Sequence, residues 1–486
     1  MQGNPEAEER LQGFDRLQAS LNRAVALNRP GQTWPHVVVV LPSLSLGEAV
    51  LAHYGPRLPA LEHRYLAAFF LLHRIPNAEM IFVGTLAPAP EVLDYCASLL
   101  PEGSDARARF HCVALGDTSL RGVAEKLLDR PDLIATIRDR IGGRPAFLEP
   151  WNVTEAEARL ALELGVPVNG SAPALWPLGF KGAGRRLLRE AGVPLPAGRE
   201  GLIGVEDTLD AIRALRAEDP ALVRVIVKHD DSAAGDGNRV VDLSDDPDEA
   251  ALRDRLGAFG PAYWEEMAKG GVVEEMVAGD RFTSPSVQVD ILPDGTVEVL
   301  ATHEQVLGGE DGQVYVGCRF PAEPAYAPEL ADHGRRVGEA LAKAGALGRF
   351  ALDFAAVGTR GAWRVVALEI NLRKGGTTHP YACLRNLAPG RYDAEAGVWR
   401  ADSGGVRAYV ANDNLVDPAW VGRPPSEVIG RVRAAGLQFD PAQGTGVVLL
   451  MLSGLSIDGR FAAVAIGRDG TEAQALMDAL PPALGA

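Results

Sequence analysis

Leu368-Glu369-Ile370-Asn371-Leu372-Arg373-Lys374-Gly375-Gly376-Thr377-Thr378-His379 carries an apolar run into a carboxylate, an amide and two cations. A second apolar run, residues 350–357, places Asp353 sixteen positions before Glu369. If the two runs are adjacent antiparallel strands joined by a turn over residues 358–361, Asp353, Glu369 and Asn371 converge on one point. The period-two alternation of a strand puts Glu369, Asn371 and Arg373 on one face. Hard oxygen donors of this kind suit Mg²⁺, which is commonly held by one or two carboxylates together with the phosphates of its nucleotide. The stretch therefore reads as a nucleotide-phosphate site. The competing reading is a solvated strand face, with Arg373 and Lys374 in ordinary surface ion pairs.

A chain of 486 residues, 47% hydrophobic and 23% charged, can bury two or three cores and is not disordered. Its net charge of −16 repels polyanions, so no nucleic-acid partner is expected. The N-terminal residues show no signal-peptide pattern. The longest apolar runs, such as residues 446–452, fall far short of the ~20 residues that cross a bilayer. A cytoplasmic protein with no membrane association is the expectation. The four cysteines lack the close pairing of a disulfide framework or zinc cluster, and His379 with Cys383 is too weak a pattern for a metal. Only six of the 48 basic residues are lysine. A lysine kept against such a skew suggests a place where a compact ammonium cannot be exchanged for a planar guanidinium.

Residues 1–175 read as an α/β domain with a mostly parallel sheet, because apolar runs at 37–41, 80–83, 110–114 and 146–148 alternate with helical periodicity. The first run leads into Pro42-Ser43-Leu44-Ser45-Leu46-Gly47-Glu48, where Ser43 and Ser45 are candidate anion or substrate contacts. Residues 176–270 open with Lys181 before a helix that Gly192-Val193-Pro194 terminates. A hairpin follows, with Lys228 at the end of its first strand and a tip of small residues that includes Gly235 and Gly237. Residues 271–420 hold further strands, the Asp353 and Glu369 pair among them, and a helix over 329–344. Residues 421–486 form a small C-terminal α+β unit.

Binding ATP with Mg²⁺ calls for point charges on the phosphates, a backbone-rich covering loop and oxygen ligands for the metal. Lys181 and Lys228 are the candidate phosphate ligands, residues 231–238 the loop, and Asp353, Glu369 and Asn371 the metal ligands. Glu274, followed by Glu275, Met276 and Val277, ends a strand in the manner of a hinge reading an adenine edge.

In this order the motifs resemble the ATP-grasp carboxylate–amine ligases from about residue 176 to 400. The segments "LPSLSLGEAVLAHYG", "THEQVLGG" and "EINLRKGGTTHP" are similar, more narrowly, to pre-ATP-grasp-domain peptide ligases of the pheganomycin ligase type. The resemblance implies a Rossmann-like pre-ATP-grasp domain, two α+β subdomains gripping ATP and a small C-terminal α+β domain. It implies that Lys181 and Lys228 contact the phosphates under a lid containing Gly235 and Gly237. Glu274 would meet the adenine amino group and Val277 its hinge backbone. Asp353, Glu369 and Asn371 would hold two Mg²⁺ ions, with Arg373 and Lys228 acting on the transferring phosphoryl group. Where many relatives place a ribose-binding acid this chain has Arg281, with Asp280 beside it.

The implied reaction phosphorylates the carboxylate of an amino acid or modified amino acid and joins the acyl phosphate to the N-terminal amine of a peptide, as in peptide antibiotic biosynthesis. His303, Glu304, Lys374 and His379 are candidates for substrate contact or proton transfer, and a homodimer is a candidate assembly. Two alternatives compete. One is a carboxylase acting on bicarbonate, disfavoured by the lack of a biotin-carrier lysine. The other is a non-catalytic ATP-binding regulator.

Overall fold

The four apolar runs of the N-terminal third pair as a parallel sheet in the order Phe110–Ala114, Ala78–Gly84, His36–Leu41, Ala146–Pro150. Strand His36–Leu41 is apolar from Val37 to Leu41 because both faces are covered: Val38 and Val40 enter one core, Val37 and Val39 another. The computed structural model describes residues 5–232, 237–308, 314–359 and 362–485.

A second sheet is antiparallel, in the order Gly198–Leu202, Gly271–Glu275, Arg224–His229, Arg239–Asp242. The last two strands are the expected hairpin; four residues of its tip, Gly235 among them, lie outside the described residues. Helix Lys181–Glu190 leans on this sheet, with Lys181 in its first turn.

Among the described residues the third sheet has 11 strands, and its main path begins Ala362–Asn371, Gly348–Thr359, Pro285–Ile291, Val297–Gly308, Val314–Phe320, Val406–Val416. The first two are antiparallel neighbours, as expected from the sequence; residues 360–361 of the connecting turn lie outside the described residues. One face is apolar: Val287, Val289, Leu352 and Phe354 pack with Leu330, Val337 and Leu341 of helix Ala327–Lys343. Alternation therefore sends Ser286, Gln288 and Asp353 to the other face, which looks towards the two lysines. The C-terminal strands Gly446–Leu450 and Arg460–Gly467 join this same sheet through Val406–Val416.

Candidate active site

Asp353 and Glu369 are cross-strand partners in register. Asn371 lies two residues beyond Glu369, and its Nδ2 donates to Asp353 Oδ2 at 2.8 Å and to Glu369 Oε1 at 3.5 Å. Gln305 Nε2 donates to the other Asp353 oxygen at 2.9 Å. Burial, and then the neighbouring Glu369 charge, push the Asp353 carboxyl up to about 7, against the pull of Arg373 and the two amide donors. The Arg373 guanidinium is held 4.6 Å over the Trp151 ring, a cation–π contact that aims it across the same gap. Burial lowers the Arg373 pKa, and Glu369 and Asp353 oppose that shift.

The lysines enter from the second sheet. Lys181 Nζ donates to the backbone oxygen and the hydroxyl of Ser232, each at 2.9 Å, and stands 3.9 Å from Glu369 Oε2. Burial pushes its pKa down; Glu369 resists and the adjacent Lys228 adds to the push. Lys228 Nζ meets Glu274 Oε2 at 2.5 Å, while Arg185 takes the other carboxylate oxygen. Glu274 is 2% exposed, so burial alone would raise its pKa, but Lys228 and Arg185 together hold it below the usual carboxylate range. The neighbouring Glu275 faces away, to Arg364 and the Ala197 N–H. Glu274 is thus the inward member of the pair, and its carboxylate is engaged by the two cations.

At the hairpin tip Gly237 has φ +77°, and a Cβ there would come within 2.5 Å of the His229 ring, so this turn is built for glycine. Val277 follows strand Gly271–Glu275 and is half-buried. Asp280 and Arg281 are exposed, and the Arg281 guanidinium stacks 4.6 Å over Trp363.

The remaining sequence candidates are held elsewhere. Ser43 and Ser45 share a hydrogen bond of 2.8 Å; Ser43 accepts from the Ala124 N–H and Ser45 donates to buried Glu157 at 2.7 Å. These hydroxyls satisfy an internal carboxylate instead of an external anion. His303 is 0% exposed, with Nε2 2.5 Å from the Tyr409 hydroxyl and burial lowering its pKa to about 3. A ring enclosed in this way has a structural task. Glu304 points to the opposite face, accepting from the Tyr326 hydroxyl at 2.5 Å. Lys374 ties the end of the acid strand to the N-terminal sheet through Glu149 at 2.6 Å and the Pro150 carbonyl. His379 Nε2 meets Asp413 Oδ1 at 2.8 Å, and Arg64 Nη1 meets Asp413 Oδ2 at 3.0 Å.

Three contributors escaped the sequence reading. Gln305 shares the face of His303 by alternation, but its reach to Asp353 depends on which strands are neighbours. Arg185 sits one helical turn after Lys181 on the same side, a spacing that was available. Trp151 carries no sequence signal for its place under Arg373.

Two carboxylates and an amide face one gap, and burial, with the charge of Glu369, raises the pKa of the Asp353 carboxyl. This donor set fits a divalent cation that prefers oxygen. Among the described residues no cluster of three or more His, Cys, Asp or Glu side chains could hold a metal. Two carboxylates with positions left open for phosphate and water would suit Mg²⁺, which is commonly held by one or two carboxylates.

Residues 262–373 match the model of the IQCH-like ATP-grasp family, and residues 427–480 match that of the PGM1 C-terminal domain. An L-propargylglycine–L-glutamate ligase of Streptantibioticus cattleyicolor is 31% identical over 409 residues, covering 81% of this chain and 83% of that protein. The chain belongs to the ATP-grasp carboxylate–amine ligases. As a member of that family it is an ATP-dependent ligase forming C–N bonds. The ATP-grasp architecture is shared with solved structures: biotin carboxylase from Campylobacter jejuni (TM-score 0.55, 14% identity, 92% of this chain and 90% of the other) and an ADP complex of N5-carboxyaminoimidazole ribonucleotide synthetase (TM-score 0.52, 13%, 92% and 97%). No helix among the described residues is long and apolar enough to cross a membrane.

Proposed function

We propose that this ATP-grasp ligase transfers the γ-phosphoryl group of ATP to the carboxylate of an amino acid or modified amino acid, releasing ADP. The acyl phosphate is then attacked by an amine, in this reading the N-terminus of a peptide. The C–N bond forms, the C–O bond to phosphate breaks, the amine loses a proton and inorganic phosphate leaves. The single observation that carries the reading is the convergence of Lys181, Lys228, Asp353, Glu369 and Arg373 from two sheets on one gap.

Lys181 and Lys228 would meet the phosphates, and Glu274 would hold Lys228 in place while the backbone near Val277 receives the adenine edge. Asp353, Glu369 and Asn371 would hold Mg²⁺, two ions in this reading, which neutralises phosphate charge as the transfer proceeds. Arg373, fixed over Trp151, would steady the migrating phosphoryl group, and the tip around Gly237 would shut out water that hydrolyses an acyl phosphate. We place the protein in the cytoplasm, in peptide antibiotic biosynthesis, as a homodimer. The ligase with a free amino acid in its name supports amino-acid substrates.

The test is incubation with ATP, Mg²⁺ and pools of amino acids, peptides and bicarbonate, reading nucleotide products and new masses. ADP, phosphate and a mass equal to two substrates less water are expected. AMP with pyrophosphate, or ADP released with bicarbonate alone, would contradict the proposal.

A further inference from the structure

The groups that face the gap, Lys181, Lys228, Asp353, Glu369, Asn371 and Arg373, all lie beyond residue 175, so the N-terminal domain supplies none of them. Two segments of that domain nevertheless close on the strands that carry the site. The first is Glu149-Pro150-Trp151, at the end of strand Ala146–Pro150. The Trp151 carbonyl accepts from the Lys374 N–H at 3.1 Å, the Pro150 carbonyl accepts from Lys374 Nζ, and Glu149 Oε1 meets the same ammonium at 2.6 Å. Glu149 is itself held, because Asn169 Nδ2 donates to its Oε2 at 2.7 Å. The Trp151 ring, 9% exposed, then lies 4.6 Å under the Arg373 guanidinium.

The second segment is Asn169-Gly170-Ser171. Ser171 Oγ donates to the Leu347 carbonyl at 2.8 Å and accepts from the Leu347 N–H at 3.1 Å. Gly348 has φ +84°, and a Cβ there would come within 2.9 Å of Gly170 Cα, so the two backbones touch. Gly348 opens the strand that carries Asp353, and Ala351 pairs with Asn371, so this contact lies beside the Arg373 end of the neighbouring strand. The space left between the two segments and these strand ends is about 20 Å³, room for one water and for no substrate group.

Without this seat Arg373 has one side-chain anchor, a hydrogen bond from Nη1 to the Lys374 carbonyl at 3.1 Å. A guanidinium carries five N–H donors and pairs readily with carboxylates. Glu369 and Asp353 are near enough that their charges oppose the downward push of burial on the Arg373 pKa, yet among the described residues Arg373 forms an ion pair with neither. A loose side chain would fall onto Glu369 and spend its donors there. The aromatic face attracts the cation without accepting an N–H in the guanidinium plane. Trp151 therefore holds the charge off the acids, with donors open to an incoming anion.

We propose that Trp151 is a positioning residue for phosphoryl transfer: carried by the N-terminal domain and locked by the contact of Glu149 with Lys374, it keeps Arg373 from capture by Glu369. The inference deepens the ligase reading and rests on its assignment of Arg373 to the migrating phosphoryl group.

Two measurements on the full chain test it, both with Mg²⁺. One is calorimetric binding of ADP alone and of ADP with aluminium fluoride, a mimic of a phosphoryl group in transfer. The other is steady-state ADP release from ATP with the amino-acid and peptide pools. Trp151→Leu should bind ADP within about twofold of the parent, which certifies its folding. It should lose about 10–100-fold in both kcat and affinity for the aluminium fluoride complex, with KM for ATP little changed, as when a transition-state contact is misplaced. Trp151→Phe should recover most of both losses, because it restores a ring face. With Arg373→Met already present, Trp151→Leu should add almost nothing, since the two act as a unit. Undiminished affinity in Trp151→Leu, equal losses in Trp151→Leu and Trp151→Phe, or a full further loss in the Arg373→Met background would overturn the positioning role and leave the ligase reading intact. Parental affinity of Arg373→Met for the aluminium fluoride complex would remove Arg373 from the phosphoryl site, and Trp151 with it. If no substrate pair releases ADP, the ligase reading falls and the binding arm still decides the role of Trp151.

Discussion

Asp353 and Glu369 face each other across two antiparallel strands, and the carboxyl of the first is driven towards neutrality by burial and by the charge of the second. A pair of acids so placed opposes folding and is kept for a task. Glu369→Gln removes one charge and nearly no volume. ADP release should fall at least ~100-fold, the scale of losing a group that stabilises transition-state charge. The melting temperature of the ligand-free protein should hold or rise. Near-normal turnover would take Glu369 out of the site.

Gln305 supports Asp353 from a neighbouring strand with a hydrogen bond of 2.9 Å. Residues that orient metal ligands typically cost about 10–100-fold when removed. Gln305→Leu should raise the Mg²⁺ concentration needed for half-maximal ADP release by that order. An unchanged Mg²⁺ titration would show that Asp353 needs no such support.

Glu274 is buried between Lys228 and Arg185, and deleting one member of a buried charge cluster leaves the others uncompensated. Glu274→Ala should therefore destabilise the protein by about 3 kcal/mol in urea unfolding. Lys228→Met should spare more stability, because Glu274 keeps Arg185, and should reduce turnover more than ~100-fold. Equal losses of stability in the two variants would contradict this division.

Asp413 joins three elements: Arg64 of the N-terminal domain, His379 of helix Thr378–Leu387, and its own strand Val406–Val416. Burial pushes its pKa up, but His379 and Arg64 outweigh that and hold it below the ordinary value. A depressed carboxyl contributes stability that is present above its unfolded pKa of about 4 and is lost as pH falls through the lower folded value. Asp413→Ala should cost about 3 kcal/mol at pH 7 and flatten the loss of stability on acidification below about pH 4. A variant as stable as the parent at pH 7 would refute the coupling.

His303 is enclosed beside Phe320 and Tyr409. His303→Phe should leave the Tyr409 hydroxyl unpaired and cost about 1–3 kcal/mol, while activity per folded molecule stays within about twofold. A tenfold fall in kcat with full stability would return His303 to the list of functional groups.

Much of this molecule was legible in its residues. The parallel N-terminal strands announced themselves as short apolar runs, since coverage of both faces leaves few polar positions, Glu79, His111 and Glu149 among them, to interrupt the pattern. The hairpin around residues 230–238 and the helix Ala327–Lys343 were equally plain. Strand Val406–Val416 was not, since Asn412, Asp413 and Asn414 interrupt its apolar pattern where a register shift lies. Gly390–Asp393 and Val398–Ala401 were too short to stand out.

Local patterning determined which residues lie on strands and which ends carry charge, because alternation and helix-end chemistry act over a few positions. Within the site it settled that Asp353 and Glu369 could meet, since one turn joins their strands. Only tertiary structure decided that Gln305 reaches Asp353, that Lys228 is held by Glu274 with Arg185, that Trp151 underlies Arg373, and that Ser43, Ser45 and His303 are spent internally. Each of those contacts joins chain segments that come together through sheet order and domain packing. Nothing in the spacing of a sequence records which distant charge will fill a buried partner's shell.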